Sequence, residues 1–361
     1  MGAAFRAPTS TNAIDVTSTD TNALNWNANL VAQGINGYLN WTDNSFATGL
    51  SGGKVIARLT ELTIPKADFD SVGTGLLDIN PRDVPALDIA IDQLTVGDRV
   101  LGKVALQASN QMSTIDAARR NWVIDTLSIA NPNFSATATG QWQREKADAK
   151  PTVRLNINAT TESLGDALAS MGAVGVISAS PGSLDAQLQW TGSPFALDVP
   201  SLSGTLNANF GKGQFLKVDP GAGRLVGLFS LQSIPKRLTL DFRDMFATGF
   251  AFDRVQTTAT LVQGQLKLDT FNMKGLAADV NATGSVSLTE ETQDLRFIVR
   301  PDVNAGGVSL LYVLINPPIG LGTLALQWLF REPLRKQLTV EYAVTGAWAS
   351  PKTEQVKRAL E

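Results

Sequence analysis

Asp241-Phe242-Arg243-Asp244 places two carboxylates and a guanidinium within four residues. Glycoside hydrolysis needs two carboxylates on separate elements that face one cleft. Neighbouring positions on a single strand do not provide that, so Asp241 and Arg243 read as members of a wet strand face. Gly211-Lys212-Gly213 and Gly221-Ala222-Gly223-Arg224 bring glycine and a cation together, as phosphate loops do. Neither completes G-x-x-x-x-G-K-[ST] or G-x-G-x-x-G, and both read as turns. Serines such as Ser180 and Ser183 have no histidine to take their proton, because the chain contains no histidine and no cysteine. A Ser-His-Asp triad, thiolate catalysis, disulfides and Cys- or His-ligated metal are thereby excluded within this sequence. The residue types point away from an enzyme and call for no metal or cofactor.

Composition narrows the classes further. The 361 residues suffice for two average domains or one large all-β body, and 43% hydrophobic content allows a sizeable core. Lys+Arg 30 against Asp+Glu 33 gives a formal net charge of -3, with no basic cluster. That balance argues against nucleic acid as a partner and against strong attraction to an anionic membrane surface. Residues 1–18 show no apolar core behind a basic start, so no export signal is read there. If the protein works outside the cytoplasm, its export or anchoring segment is expected to lie outside this sequence.

The elements available to position a site are strands. From Ala23 onward, short runs alternate apolar and polar residues between Gly, Asn, Asp and Pro, as in Leu184-Ala186-Leu188-Trp190, Leu206-Ala208-Phe210, Leu238-Leu240-Phe242 and Leu295-Phe297-Val299. Period-two alternation gives one apolar and one wet face, the pattern of antiparallel sheet. One unit occurs twice. Ile124-Asp125-Thr126-Leu127 leads to Gly140, and Leu268-Asp269-Thr270-Phe271 leads to Gly284, sixteen positions from apolar residue to glycine in both. In each copy the residue before Asp-Thr is out of phase with the apolar residues after it. A β-bulge at Asp-Thr restores the face, an ordinary turn being the alternative. Such a repeat suits an elongated body whose neighbouring units complete each other's core.

Residues 1–22, rich in Thr, Ser, Asn and Ala, are expected to fray or to pair as an edge. Residues 23–302 carry the repeated strands, interrupted by a helix near 162–173 and another near 222–232, each with apolar residues at helical spacing. Residues 303–361 are expected to form a helical hairpin and a closing strand. Val303 to Phe330 is uncharged and long enough to span a bilayer, but Asn316-Pro317-Pro318 breaks it into halves too short to cross.

Roughly 14 to 18 strands at about 4.8 Å spacing make a sheet around 70 to 85 Å long, too long for the scarce helical material to cover. Such a sheet either folds into a filled sandwich or curls into a trough whose apolar floor meets a ligand. A lipid would resolve the exposure.

The stretch Phe215 to Val255 is the specific one: FLKVDPGAGRLVGLFSLQSIPKRLTLDFRDMFATGFAFDRV. It resembles the C-terminal region of the YhdP-type, AsmA-like family of Gram-negative envelopes. The likeness continues through TQDLRFIVRP (Thr292 to Pro301) and VTGAWASP (Val344 to Pro351), and more weakly back to Trp26. The resemblance implies a mainly β fold, a long curled antiparallel sheet forming a taco-shaped apolar groove, with a few short helices near the C-terminal end. It implies a bridge-like carrier in the periplasm, the full-length protein anchored in the inner membrane, with phospholipid, the inner and outer membranes and envelope proteins as partners. Phospholipids would slide along the groove from one membrane to the other.

The expected groove residues are Leu188, Trp190, Leu206, Phe210, Leu240, Phe242, Leu268, Phe271, Met273, Val280, Val286, Leu295, Phe297 and Val299. Each is equally readable as core of a closed sandwich. Trp328, Phe330, Arg331, Arg335 and Lys336 are expected to meet a membrane interface, where aromatic rings and phosphate-binding cations belong. The alternatives are a periplasmic assembly factor for outer-membrane proteins, as proposed for the AsmA-like relative TamB, and a structural envelope spacer.

Overall fold

The computed structural model describes residues 13–18, 25–43, 53–65, 80–81, 83–112, 120–144, 149–216, 250–275, 278–301 and 339–356. In chain order the strands are β1 (Ala13–Ser18), β2 (Trp26–Ala32), β3 (Ile35–Thr42), β4 (Lys54–Ile64), β5 (Ala86–Val96), β6 (Arg99–Met112), β7 (Arg120–Ala130), β8 (Ser135–Gln143), β9 (Thr152–Thr161), β10 (Ile177–Ala179) and β11 (Gly182–Thr191). They continue as β12 (Ser203–Phe210), β13 (Gly213–Phe215), β14 (Phe250–Val262), β15 (Gln265–Gly275), β16 (Ala278–Ser287), β17 (Thr292–Pro301), β18 (Val340–Ala347) and β19 (Lys352–Val356). One α-helix, α1 (Leu164–Ser170), lies between β9 and β10.

All of these strands join a single sheet in which sequence neighbours are mostly spatial neighbours. Every pairing is antiparallel except β4–β5, which runs parallel. That junction is tied on the polar face. Arg58 donates to the Asp88 carbonyl at 2.7 Å and to its carboxylate at 2.8 Å, and Lys54 Nζ lies 3.2 Å from the same carboxylate. Burial alone would raise the Asp88 carboxyl, but the two cations outweigh it and hold it below the ordinary range.

The repeated unit is a repeated bulge. Between β6 and β7, Ala108 faces Ile124 while Gln107 faces Thr126, leaving Asp125 as the extra residue. Between β14 and β15, Ala259 faces Leu268 while Thr258 faces Thr270, leaving Asp269 extra. Both aspartates accept a hydroxyl from the equivalent place on the preceding strand, Ser109 Oγ at 2.8 Å and Thr260 Oγ1 at 2.6 Å. The polar side chain thus pins the bulge, and the bulge returns the apolar residues to one face.

β10–β11 and β12–β13 are one hairpin with an interruption. Ile177 faces Phe215 and Gly182 faces Phe210 in the same register, and the break falls at Ser180–Pro181 opposite Gly211–Lys212. Ala179 and Ser180 have φ of 57° and 76° there. Ser180 is fully buried and donates to the Gly211 carbonyl at 3.1 Å. The serine considered above as a nucleophile is a structural residue, and the Gly211-Lys212 pair is a bend, not a phosphate loop.

The sheet departs from expectation in shape, being mixed, mostly antiparallel and not strongly curled. The physical reason is that connections cover part of the apolar face. Val84 and the 192–202 segment, with Phe195, Leu197 and Leu202, pack directly on strand residues and bury them without curling. The helices near the C-terminal end do not appear among the described residues. α1 lies mid-chain, within the stretch 162–173, with Ser163 as its N-cap accepting from the Asp166 N–H. The stretches 222–232 and 303–330 lie outside the described residues. Within 1–22, residues 13–18 pair as the edge strand β1. No helix among the described residues is long and apolar enough to cross a membrane.

Candidate functional site

Strand alternation and register together line up one apolar residue from each successive strand. Starting on β2, the pairings run Ala28, Leu39, Ala57, Ile89, Leu106, Leu127, Ala138 and Ile157. They continue through Ala186, Leu206, Ala259, Leu268, Gly284, Leu295 and Val344. This lane crosses fifteen strands without a polar residue. At about 4.8 Å per strand it extends roughly 65–70 Å perpendicular to them.

Large and small residues alternate along much of it, and from β2 to β15 their exposure follows size, whereas Leu295 and Val344 at the C-terminal end are buried in a packed cluster. Ala57, Ala138, Ala186 and Ala259 are buried between their neighbours, whereas Leu39, Ile89, Leu106, Leu127, Ile157, Leu206 and Leu268 are half-buried. The tall side chains from Leu39 to Leu268 therefore present apolar surface. Gly284 completes the lane where no other residue fits. Its φ is +123°, and an added Cβ would lie 2.1 Å from the Asp294 carbonyl oxygen.

Packed clusters border the lane. On the side of the 192–202 connection, Trp122, Trp142, Val153 and Trp190 form a core. Trp122 and Trp142 meet edge-on with centroids 6.3 Å apart, and Phe195 lies within 6.5 Å of both. Each indole N–H is satisfied by a connection, Trp142 donating to the Gly192 carbonyl at 2.7 Å, Trp122 to Pro85 at 3.0 Å, and Trp190 to Ser193 and Ala196 at 2.9 and 3.1 Å. On the other side lie Leu30, Leu59 and Ile91 towards the N-terminus, and Phe252, Met273, Val280 and Phe297 towards the C-terminus. The opposite face of the sheet is polar, with Asn158 donating to Asp185 at 2.5 Å and Gln256 to Asn209 at 3.1 Å.

An apolar floor with packed borders is a surface that separates apolar from aqueous matter. Among the described residues no group of carboxylates is placed to hold a metal ion. Residues 9–353 match the model of the family described as YhdP protein. The chain belongs to the YhdP family. A curated relative, the intermembrane phospholipid transporter YhdP of Escherichia coli (strain K12), is 28% identical over 241 residues, covering 65% of this chain and 19% of that protein. No solved structure matches the chain.

Within this YhdP-family sheet the expected groove residues divide. Leu206, Leu268 and Leu295 lie in the lane itself. Leu188 packs against the tryptophan core, and Trp190 belongs to it at 5% exposure, sealed beneath its own connection. Met273, Val280 and Phe297 are buried in the C-terminal cluster, and Phe210, Phe271, Val286 and Val299 pack on it half-buried. Leu240 and Phe242 lie outside the described residues, as do Trp328, Phe330, Arg331, Arg335 and Lys336. Sequence reading missed Ile89, Leu106 and Ile157, which alternate correctly but sit in strands without a specific motif. It also missed the alanines, whose single methyl gives no hydropathy signal although they set the floor.

Proposed function

We propose that this chain is a segment of an intermembrane phospholipid carrier of the Gram-negative envelope, and that acyl chains lie along the apolar lane from Ala28 to Val344. The continuity of that lane across fifteen strands is the observation that carries the reading. Removing a phospholipid with about 30 chain methylenes into water costs on the order of 25 kcal/mol, at roughly 0.8 per CH₂. A lane that stays apolar from strand to strand offsets most of that cost at every position, so a lipid moves along it without meeting a barrier of comparable height. The name of the Escherichia coli relative, an intermembrane phospholipid transporter, agrees with this chemistry. The matched part is 19% of that relative's length, so in this reading complete spanning belongs to the longer protein.

The test is occupancy. The purified chain, stripped of lipid in detergent and returned to phospholipid vesicles, regains bound diacyl phospholipid by native mass spectrometry. A chain that stays empty after vesicle exposure contradicts the carrier and favours a spacer. In the same reading Trp328, Phe330, Arg331, Arg335 and Lys336 form a membrane-contacting end, where indole and phenyl rings settle at the interface and cations meet phosphates. The chain then floats with liposomes, and Trp328→Ser with Phe330→Ser abolishes flotation. Equal flotation of the two proteins removes the membrane-contact role from these residues.

A further inference from the structure

The two copies of the repeat differ in polarity at one inward-facing position. In the first copy Gly140 faces Leu155, and two residues before that partner stands Val153, fully buried between Trp142 on β8 and Trp190 on β11. In the second copy Gly284 faces Leu295, and two residues before it stands Gln293, between Val286 on β16 and Gly346 on β18. Two tryptophans fill the first site. A valine and a glycine flank the second, with Trp348 fully buried two residues beyond the glycine, and a Cβ added at Gly346 would meet nothing nearer than the Ser350 carbonyl oxygen at 3.9 Å.

Gln293 is only 4% exposed, yet among the described residues neither its Nε2 nor its Oε1 has a hydrogen-bond partner. Burying an unsatisfied amide is costly, and such groups are rare in folded proteins. The fold does not demand it, because the repeat itself accepts Val153 at the same place. Gln293 also lies two residues along β17 from Leu295, about 6.7 Å to the side of the lane.

We propose that Gln293 is a recognition residue for the ester region of a bound glycerophospholipid, its Nε2 donating to an acyl ester carbonyl. The carbonyl enters beside Gly346, the acyl chain runs onto the half-buried lane residues that begin at Leu268, and the headgroup projects past the β16–β17 turn towards solvent. The proposal rests on the carrier reading and assigns to its C-terminal end a polar register point that the first copy lacks.

The experiment compares diester and diether phosphatidylethanolamine of identical chain length, which share headgroup and phosphate and differ only in the carbonyls. Binding to the purified chain is measured by competition in native mass spectrometry. The native chain prefers the diester by about fivefold, the selectivity expected of one hydrogen bond. Gln293→Val, the residue of the first copy, binds both lipids equally and melts at a higher temperature when empty. Equal binding of the two lipids by the native chain overturns the proposal, whether a trapped water or nothing satisfies the amide. Retained diester preference in Gln293→Val also overturns it, as the carbonyl is then read elsewhere. Failure of either protein to bind either lipid removes the carrier reading and this inference together.

Discussion

Leu206→Asp is expected to halt lipid movement along the sheet while leaving the sheet folded. Leu206 lies mid-lane, half-buried, facing Ala186 on one side and Ala259 on the other, and belongs to none of the three packed clusters. In the empty protein its replacement meets water, so the carboxylate is solvated and the fold tolerates it. With lipid on the lane the same carboxylate faces hydrocarbon, at a cost of about 3 kcal/mol or more. That corresponds to a roughly 100-fold loss of lipid flux through the position, since acyl chains cannot bypass it. Transfer supported by the full-length protein carrying this change, with circular dichroism confirming the fold, checks it. Undiminished flux through a folded Leu206→Asp protein points to a spacer.

Trp142→Ala is expected to act on stability instead. Trp142 is fully buried, meets Trp122 edge-on, touches Phe195 and donates to the Gly192 carbonyl. Its loss opens a cavity and frees the 192–202 connection, at about 3–5 kcal/mol. Urea denaturation of the purified chain should show that loss as a lower midpoint. A change below about 1 kcal/mol would mean that the connection is held elsewhere and that the tryptophans do not form this border. The two substitutions separate the lane from its frame, one failing in transport and the other in folding.

The contrast also shows what the sequence makes legible. The bulges at Asp125 and Asp269 were readable because each copy slips phase at the same step, and a phase slip has only a few backbone solutions. That Ser109 and Thr260 pin them was not, since strand partners are set by register and not by sequence distance. The apolar face was legible from alternation, whereas the lane within it required the pairings, which place Ile157 of β9 beside Ala138 and Ala186. The parallel step at β4–β5 depends on the link between Ile64 and Ala86, and no local signal in either strand specifies direction. Curling was expected from the size of the bare face. Phe195 and its neighbours cover part of that face from a connection whose Gly-Ser-Pro content reads only as a turn. The burial of Trp190 beneath its own connection was illegible for the same reason, because alternation reports which face a residue takes and not whether a loop lies over it.

The most direct test of the lane is site-specific photo-crosslinking in cells. A photoreactive residue at Ile157, Leu206 or Leu268 faces the lane, and one at Asn158, Asn207 or Lys267 occupies the adjacent position on the opposite face. Phospholipid adducts at the three lane positions, with none at the three neighbours, are the result this account predicts. Equal labelling of both faces, or adducts confined to one lane position, would contradict a continuous path for lipid along the sheet.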